Sequence, residues 1–275
     1  MYVVKASGET EKFDPQKIRR TCLKAGATEE LADKIAREVE KKSYDGISTK
    51  EIFHMALNLL KKEKPVVATK YDLKGSIFRL GPAGFTFEHL IGEIFKELGY
   101  NTKVHSIIRG ACVSHEIDII TNKGDNNYMV ECKYHNIPGI YTGLREALYT
   151  YARFLDLQEG FKKGLCRKFN QPWLVCNTKF SEDAIQYSNC KDMRLIGWNY
   201  PENQGLEYLI EKDKLYPITM LKDLDPDSLD KLSNANLVLV KDLVRIDIKE
   251  LSEATKISKN KLKILSDEAK SICEA

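Results

Sequence analysis

Apolar residues along the chain recur with two periods, and the places where the period changes divide it into three stretches. The first opens with two short alternating runs, YVVKA and EKFD, on either side of Ser7-Gly8, which predicts a small hairpin. Helical spacing follows over 15–25, 29–41 and 49–62, the last opened by Ser48 as an N-cap with Glu51 three positions on. The second stretch starts with helical spacing at 85–98 and continues with β-type runs near 102–108, 115–121 and 128–134. A long helical pattern at 140–158 comes next, then QPWLVCNT as a buried strand, SEDAIQYSNC as a helix and MRLIGW as another strand. That order predicts an α/β fold, one mixed sheet with helices on both faces. From residue 218 onward the spacing is helical, with short turns and no strand signal.

Breakers agree with this division. Pro65 and the cluster Gly81, Pro82, Gly84 punctuate the first third, and Pro217 before the acidic stretch LKDLDPDSLD punctuates the last. Three domains are expected, at 1–80, 81–217 and 218–275. With 43% hydrophobic and 30% charged residues, the chain is not collagen-like, disordered or a disulfide scaffold. The net charge of +3 is uneven: 17 basic against 12 acidic residues in 1–80, 16 against 17 in 81–217, and 10 against 11 in 218–275. Seven cysteines without a CxxC pair read as reduced, mostly buried thiols rather than zinc ligands. The opening MYVVKASGETEKF lacks the apolar run of a signal peptide, and no later run approaches membrane-spanning length, so no membrane partner and a cytoplasmic location are expected.

Candidate chemistry concentrates in HEIDIIT (115–121) and MVECKYH (129–135), joined by NKGDNN. Residues two apart on a strand share a face, so Glu131 and Lys133 project together, as do Glu116, Asp118 and Ile120 on the strand before. A hairpin closing between Gly124 and Asp125 puts Asp118 opposite Glu131. Two carboxylates and a lysine on an apolar strand pair need compensation, which a hard cation such as Mg²⁺ supplies. Asp118 and Glu131 are then its ligands, and Lys133 orients the attacking water or balances charge on a phosphate. At about 100° per residue, Glu88 is the acid of the preceding helix that leans toward the sheet. On spacing alone, the solvated face of a surface hairpin accounts for these residues equally well. His115 and Glu116 read as a strand-end histidine and an outer acid before a proton relay or an outer support of the metal, and Tyr141, Arg145, Tyr149 and Arg153, at spacings of four, more often as surface arginines and core tyrosines than as a helix stripe that meets a phosphate backbone.

The series FTFEHLIGEIFKELGY, HEIDII, VECKYHN and WLVCNTKFSEDAIQYSNCKDMRLIGW, over roughly 83–200, resembles the catalytic core of Mrr-like restriction endonucleases in the PD-(D/E)xK nuclease superfamily. The resemblance implies a restriction-endonuclease-like fold and a Mg²⁺- or Mn²⁺-dependent endonuclease acting on DNA. Glu88 then matches the helical acid, Asp118 the metal-binding aspartate, and Glu131 and Lys133 the ExK pair. Cutting both strands needs two active sites, so a homodimer or a DNA-induced pair is implied.

Read from its residues, 1–80 offers Lys5 beside a glycine turn and Lys17 on the first helix, with no GxxxxGK[ST] phosphate loop. VVKASGETEKFDPQKI, followed by YDGISTKEI, resembles the ATP-cone, a mostly helical nucleotide-sensing domain. This resemblance implies an ATP or dATP effector, with Lys5 and Lys17 at phosphate-contacting positions and Glu11, Asp14 and Thr49 near base and ribose. Lys5-Ala6-Ser7-Gly8 stands where the family usually has Lys-Arg-Asp-Gly, one cation fewer.

LDKLSNANLVLVKDLVRIDIKELSEATKISKNKLKILSDEAKSI is similar to a small helix-hairpin-helix domain. Lys256 and Asn236 occupy positions where glycines would be, and Lys256, Lys259, Lys261 and Lys263 cluster at the turn, where Lys256 and Lys259 are candidate DNA contacts or simply a solvated helix start. The expectation is thus a cytoplasmic, metal-dependent DNA endonuclease influenced by a nucleotide. The alternatives are a nucleotide-responsive DNA-binding protein without catalysis, or a nuclease for RNA or branched DNA.

Overall fold

A computed structural model describes residues 1–81 and 84–274; Pro82 of the breaker cluster and residue 83, where the nuclease resemblance begins, lie outside the described residues. The chain starts with β1 (Tyr2–Val4), β2 (Thr10–Lys12), α1 (Pro15–Lys24), α2 (Glu29–Lys42), β3 (Ile47–Ser48), α3 (Thr49–Glu63), α4 (Pro65–Tyr71) and α5 (Leu73–Phe78). It continues with α6 (Phe85–Glu97), β4 (Asn101–Arg109), β5 (Ser114–Lys123), β6 (Asn126–Lys133), β7 (Tyr141–Thr142), α7 (Leu144–Lys162), β8 (Gln171–Cys176), β9 (Lys179–Phe180), α8 (Glu182–Cys190), β10 (Arg194–Ile196) and α9 (Leu206–Lys212). After a short 3-10 turn come α10 (Pro226–Asn234), α11 (Asp242–Arg245), α12 (Ile248–Thr255) and α13 (Lys259–Glu274).

Two compact units result. One gathers Met1–Ser76 with Ile218–Lys231 and Val240–Ala275; the other gathers Ile77–Pro217 with Leu232–Leu239. In the first, β1 pairs antiparallel with β2 and parallel with β3, a strand the sequence pattern does not announce. Asp14 starts α1 by accepting from the Gln16 amide at 2.9 Å, and Pro15 supplies a first helical residue that needs no donor. Ile18, Cys22, Ile35, Val39, Ile47 and Leu60 form the core behind that sheet. α13 packs on α11, α12 and α4, so the C-terminal helices share this unit with the N-terminal ones.

The second unit is built on a sheet of order β10-β8-β6-β5-β4, antiparallel across β4, β5 and β6 and parallel across β6, β8 and β10. Trp173 on β8 meets Phe95 of α6, whereas its neighbour Leu174 packs with Ala147 of α7. Adjacent strand residues point to opposite faces, so α6 and α7 cover opposite faces of the sheet, as expected. α7 begins at Leu144, where Glu146 accepts from the Gly143 amide at 3.1 Å, so Tyr141 belongs to β7 and not to the helical stripe. Two of the cysteines, Cys22 and Cys176, are buried and all are free thiols; Cys112 and Cys190 are exposed, contrary to the mostly buried reading. No helix is long and apolar enough to cross a membrane among the described residues.

Candidate active site

The β5–β6 hairpin turns at Gly124-Asp125, with Gly124 at φ 59°, and pairs Lys123 with Asn126 down to Ile119 with Val130. Gly124 supplies the positive φ that a two-residue hairpin turn requires. The next pair in this register is Asp118 and Glu131. The ladder stops there, and the Asp118 carboxylate instead accepts from the Cys132 amide at 2.7 Å. On the other side, β4–β5 pairing through Val104–Ile119 and Ser106–Ile117 leaves His105 opposite Asp118, with His105 at φ 49°. Asp118 therefore sits at a kink where both ladders open. The kink shifts the alternation: Ile117 and Ile120, expected on opposite faces, join one cluster with Met129, Leu157 and Phe169.

Glu88 reaches this point from the first turn of α6, with Oε2 3.3 Å from His105 Nδ1 and its side chain 17% exposed. Burial, then the Asp118 and Glu116 charges, push its carboxyl up to about 7. Glu131 is also raised to about 7, first by burial and then by Asp118, even though Arg153 of α7 donates to its Oε2. Burial raises Asp118 as well, against the pull of the Cys132 amide and Arg153. Three carboxyls thus crowd one half-buried spot with less positive charge than they need.

Lys133 ends β6 and lines a cavity of about 250 Å³ with Glu131, Arg145, Glu146 and Tyr149. The strand end carrying it is held by Asn177, which accepts from the His135 amide at 2.8 Å and donates to the His135 carbonyl at 2.7 Å. His115 does not reach the carboxylates: its Nε2 lies 2.7 Å from Asp156 of α7, which also accepts from the Cys112 amide at 2.8 Å. It ties down the β4–β5 loop. Glu116 is exposed and acts on Glu88 only through its charge. Arg153 and His105 are the parts of the site that sequence reasoning did not assign.

In the first unit, Glu11 lies 3.3 Å from Lys5 and 2.9 Å from Lys17, so these three candidate residues come together. Asp14 is occupied with capping α1 and lies 3.5 Å from Arg20. Thr49 opens α3 directly after Ser48, whose register partner is Val4, the neighbour of Lys5. At the C-terminal turn, Lys256 caps α12 in the left-handed conformation at φ 60°, and Asn236 has φ 59°. Lys259 starts α13, whereas Lys261, expected in the same basic cluster, is paired with Asp225 at 2.9 Å.

Three segments of the chain match known family models: ATP cone domain over residues 1–73, Restriction endonuclease over 82–199, and AF1548-like, C-terminal over 216–273. An ATP cone domain thus precedes a restriction-endonuclease-like α/β domain. An uncharacterized protein of Archaeoglobus fulgidus is 43% identical over 182 residues, covering 66% of this chain and 99% of that protein. A second uncharacterized protein of the same organism is 46% identical over 39 residues, 14% of this chain and 83% of the relative. The crystal structure of AF1548, a protein of unknown function, matches with a TM-score of 0.62 and 43% identity, over 70% of this chain and all of that one. The chain belongs to the AF1548-like family.

Proposed function

We propose that the protein is a divalent-metal-dependent DNA endonuclease that hydrolyses phosphodiester bonds and responds to ATP or dATP at its N-terminal domain. The observation that carries this reading is the in-register pair Asp118 and Glu131, joined by Glu88 and Lys133, inside the segment that matches the restriction endonuclease family.

The residues suit Mg²⁺ or Mn²⁺. Asp118 and Glu131 are hard oxygen donors, and both are pushed toward protonation by burial, a cost that a cation removes. Among the described residues no three His, Cys, Asp or Glu side chains form a ready cage. Mg²⁺ keeps several waters and needs only one or two carboxylates, so a pair suffices. When bound, the metal would lower the pKa of a water and neutralise charge on the phosphate. The Cys132 amide fixes Asp118, and Arg153 fixes Glu131. Lys133 stabilises the charge that builds on the phosphate, and Glu88, titrating near neutrality, can hold or release a proton beside it. Cutting both strands of a duplex calls for two active sites, which a homodimer or a DNA-induced pair supplies.

The test is cleavage of plasmid and linear DNA with Mg²⁺ or Mn²⁺, beside Asp118→Ala and Lys133→Ala. Losses of about 10²–10³-fold are expected for each variant. Equal cutting by all three proteins would sink the assignment. Metal-induced thermal stabilisation of wild type but not of Asp118→Ala reads the ligand role separately, and RNA and branched DNA in the same assay read the substrate.

A further inference from the structure

The cavity beside the carboxylates has a wall, on α7, that the proposed chemistry does not use. It measures about 250 Å³ and lies between the end of β6 and the first two turns of α7, lined by Glu131, Lys133, Arg145, Glu146, Tyr149 and Thr150. Its charges are unequal in availability. Glu146 is committed to the Gly143 amide at 3.1 Å, and Glu131 to Arg153. Among the described residues, Lys133 and Arg145 make no ion pair. Arg153, 8% exposed, stands behind the wall with its guanidinium 5.2 Å from the Tyr149 ring centre, and its Nε is buried without a partner. Arg145 and Tyr149 themselves are exposed, so a ligand can reach them. An available lysine, an available arginine and an aromatic ring in a small cavity fit a phosphate group with its sugar or base against the ring. The space is too small for a duplex.

We propose that the α7 wall of this cavity is a phosphate subsite that holds a nucleotide of the substrate strand next to the bond that is cut, through Arg145, with Lys133 between it and the scissile phosphate and Tyr149 covering the sugar or base. This rests on the nuclease reading above. Arg145 is a binding residue that sets where the strand lies against Asp118 and Glu131.

The experiment measures equilibrium DNA binding by fluorescence anisotropy with full-length protein in the Asp118→Ala background, in chelating buffer, from low to moderate salt. Adding Arg145→Ala should weaken binding about tenfold at low salt and reduce the slope of log affinity against log salt by about one. Arg145→Lys should keep the slope, and Tyr149→Ala should weaken binding while leaving the slope alone. Unchanged affinity and slope in Arg145→Ala, or equal losses in Arg145→Lys and Arg145→Ala, would overturn the subsite. Cleavage by wild type on the same DNA separates the two failures. If wild type cuts and Arg145→Ala binds normally, the subsite is wrong and the nuclease stands. If wild type neither binds nor cuts DNA, both readings fail.

Discussion

Arg153, on the third turn of α7, donates to the carboxylate of Glu131 on β6, although both side chains are largely buried at 9% and 20% exposure. This contact joins the helix to the strand that carries Lys133. Removing one partner of such a pair leaves the other charge buried alone, which costs more than the pair itself contributes. Arg153→Met should therefore destabilise the protein by about 2 kcal/mol, discounted for the residual exposure of Glu131. Arg153→Met with Glu131→Gln should recover most of that loss. Urea denaturation of wild type, Arg153→Met, Glu131→Gln and the double variant checks it, and additive losses would show that the two side chains are not coupled.

The raised carboxyls give stability an unusual pH dependence. Glu88 and Glu131 have ordinary values of 4.5 and folded values of about 7, both owing first to burial. Between these values the folded state binds more protons than the unfolded one, so stability is fullest below pH 4.5 for these groups and is lost as pH rises through about 7. A loss of about 2 kcal/mol across this window is expected in chelating buffer, since the two groups also interact with one another. Glu88→Gln should flatten it. Mg²⁺ or Mn²⁺ should offset the loss at pH 8 in wild type and not in Asp118→Ala. Thermal denaturation across the pH range measures all three.

Asp118 and Glu131 are legible in the sequence because a period of two and a two-residue turn at Gly124-Asp125 leave one sensible register. Glu88 is legible because helical stepping places one acid of α6 toward the sheet. His105 is not: between Val104 and Ser106 it reads as ordinary strand, and its left-handed backbone comes from the opening of two ladders at Asp118. Arg153 belongs to a visible stripe, but its partner lies on another element, so spacing alone could not choose between solvent and Glu131. Tyr141 fits the same spacing and yet lies outside the helix, because Gly143 and Glu146 start α7 later. Lys261 is tied to Asp225, a contact no local pattern announces.

Lys256 pays for its place at the end of α12. It is a residue with a Cβ in the left-handed region at φ 60°, where its amide still closes the helix onto the Ser252 carbonyl. The left-handed conformation costs an L-residue roughly 1 kcal/mol, while glycine adopts it freely and loses more chain entropy on folding. Lys256→Gly should therefore raise stability by about 0.5 kcal/mol, whereas Lys256→Val should lower it by more than that. Urea midpoints measure both. If Lys256 also contacts DNA, the glycine variant will reduce the salt slope of binding by about one. Stability and DNA affinity would then move in opposite directions.

Glu11 holds both candidate phosphate-binding lysines, at 3.3 Å from Lys5 and 2.9 Å from Lys17. The lysines in turn hold its carboxyl below the usual value, chiefly through the Lys17 bond, against the upward push of burial. A triphosphate entering between Lys5 and Lys17 must share them with that carboxylate. Lys17→Ala should weaken ATP and dATP binding about tenfold, the loss of one charge-assisted contact. Glu11→Gln should strengthen binding severalfold if its charge only competes for the lysines, and this is the outcome the geometry favours. A weaker complex in Glu11→Gln would instead place Glu11 against the ribose or base. Calorimetric titration of both nucleotides at two salt concentrations checks these outcomes, because the lysine contribution should shrink as salt rises. No heat with either nucleotide in wild type would leave the cone as a folding module.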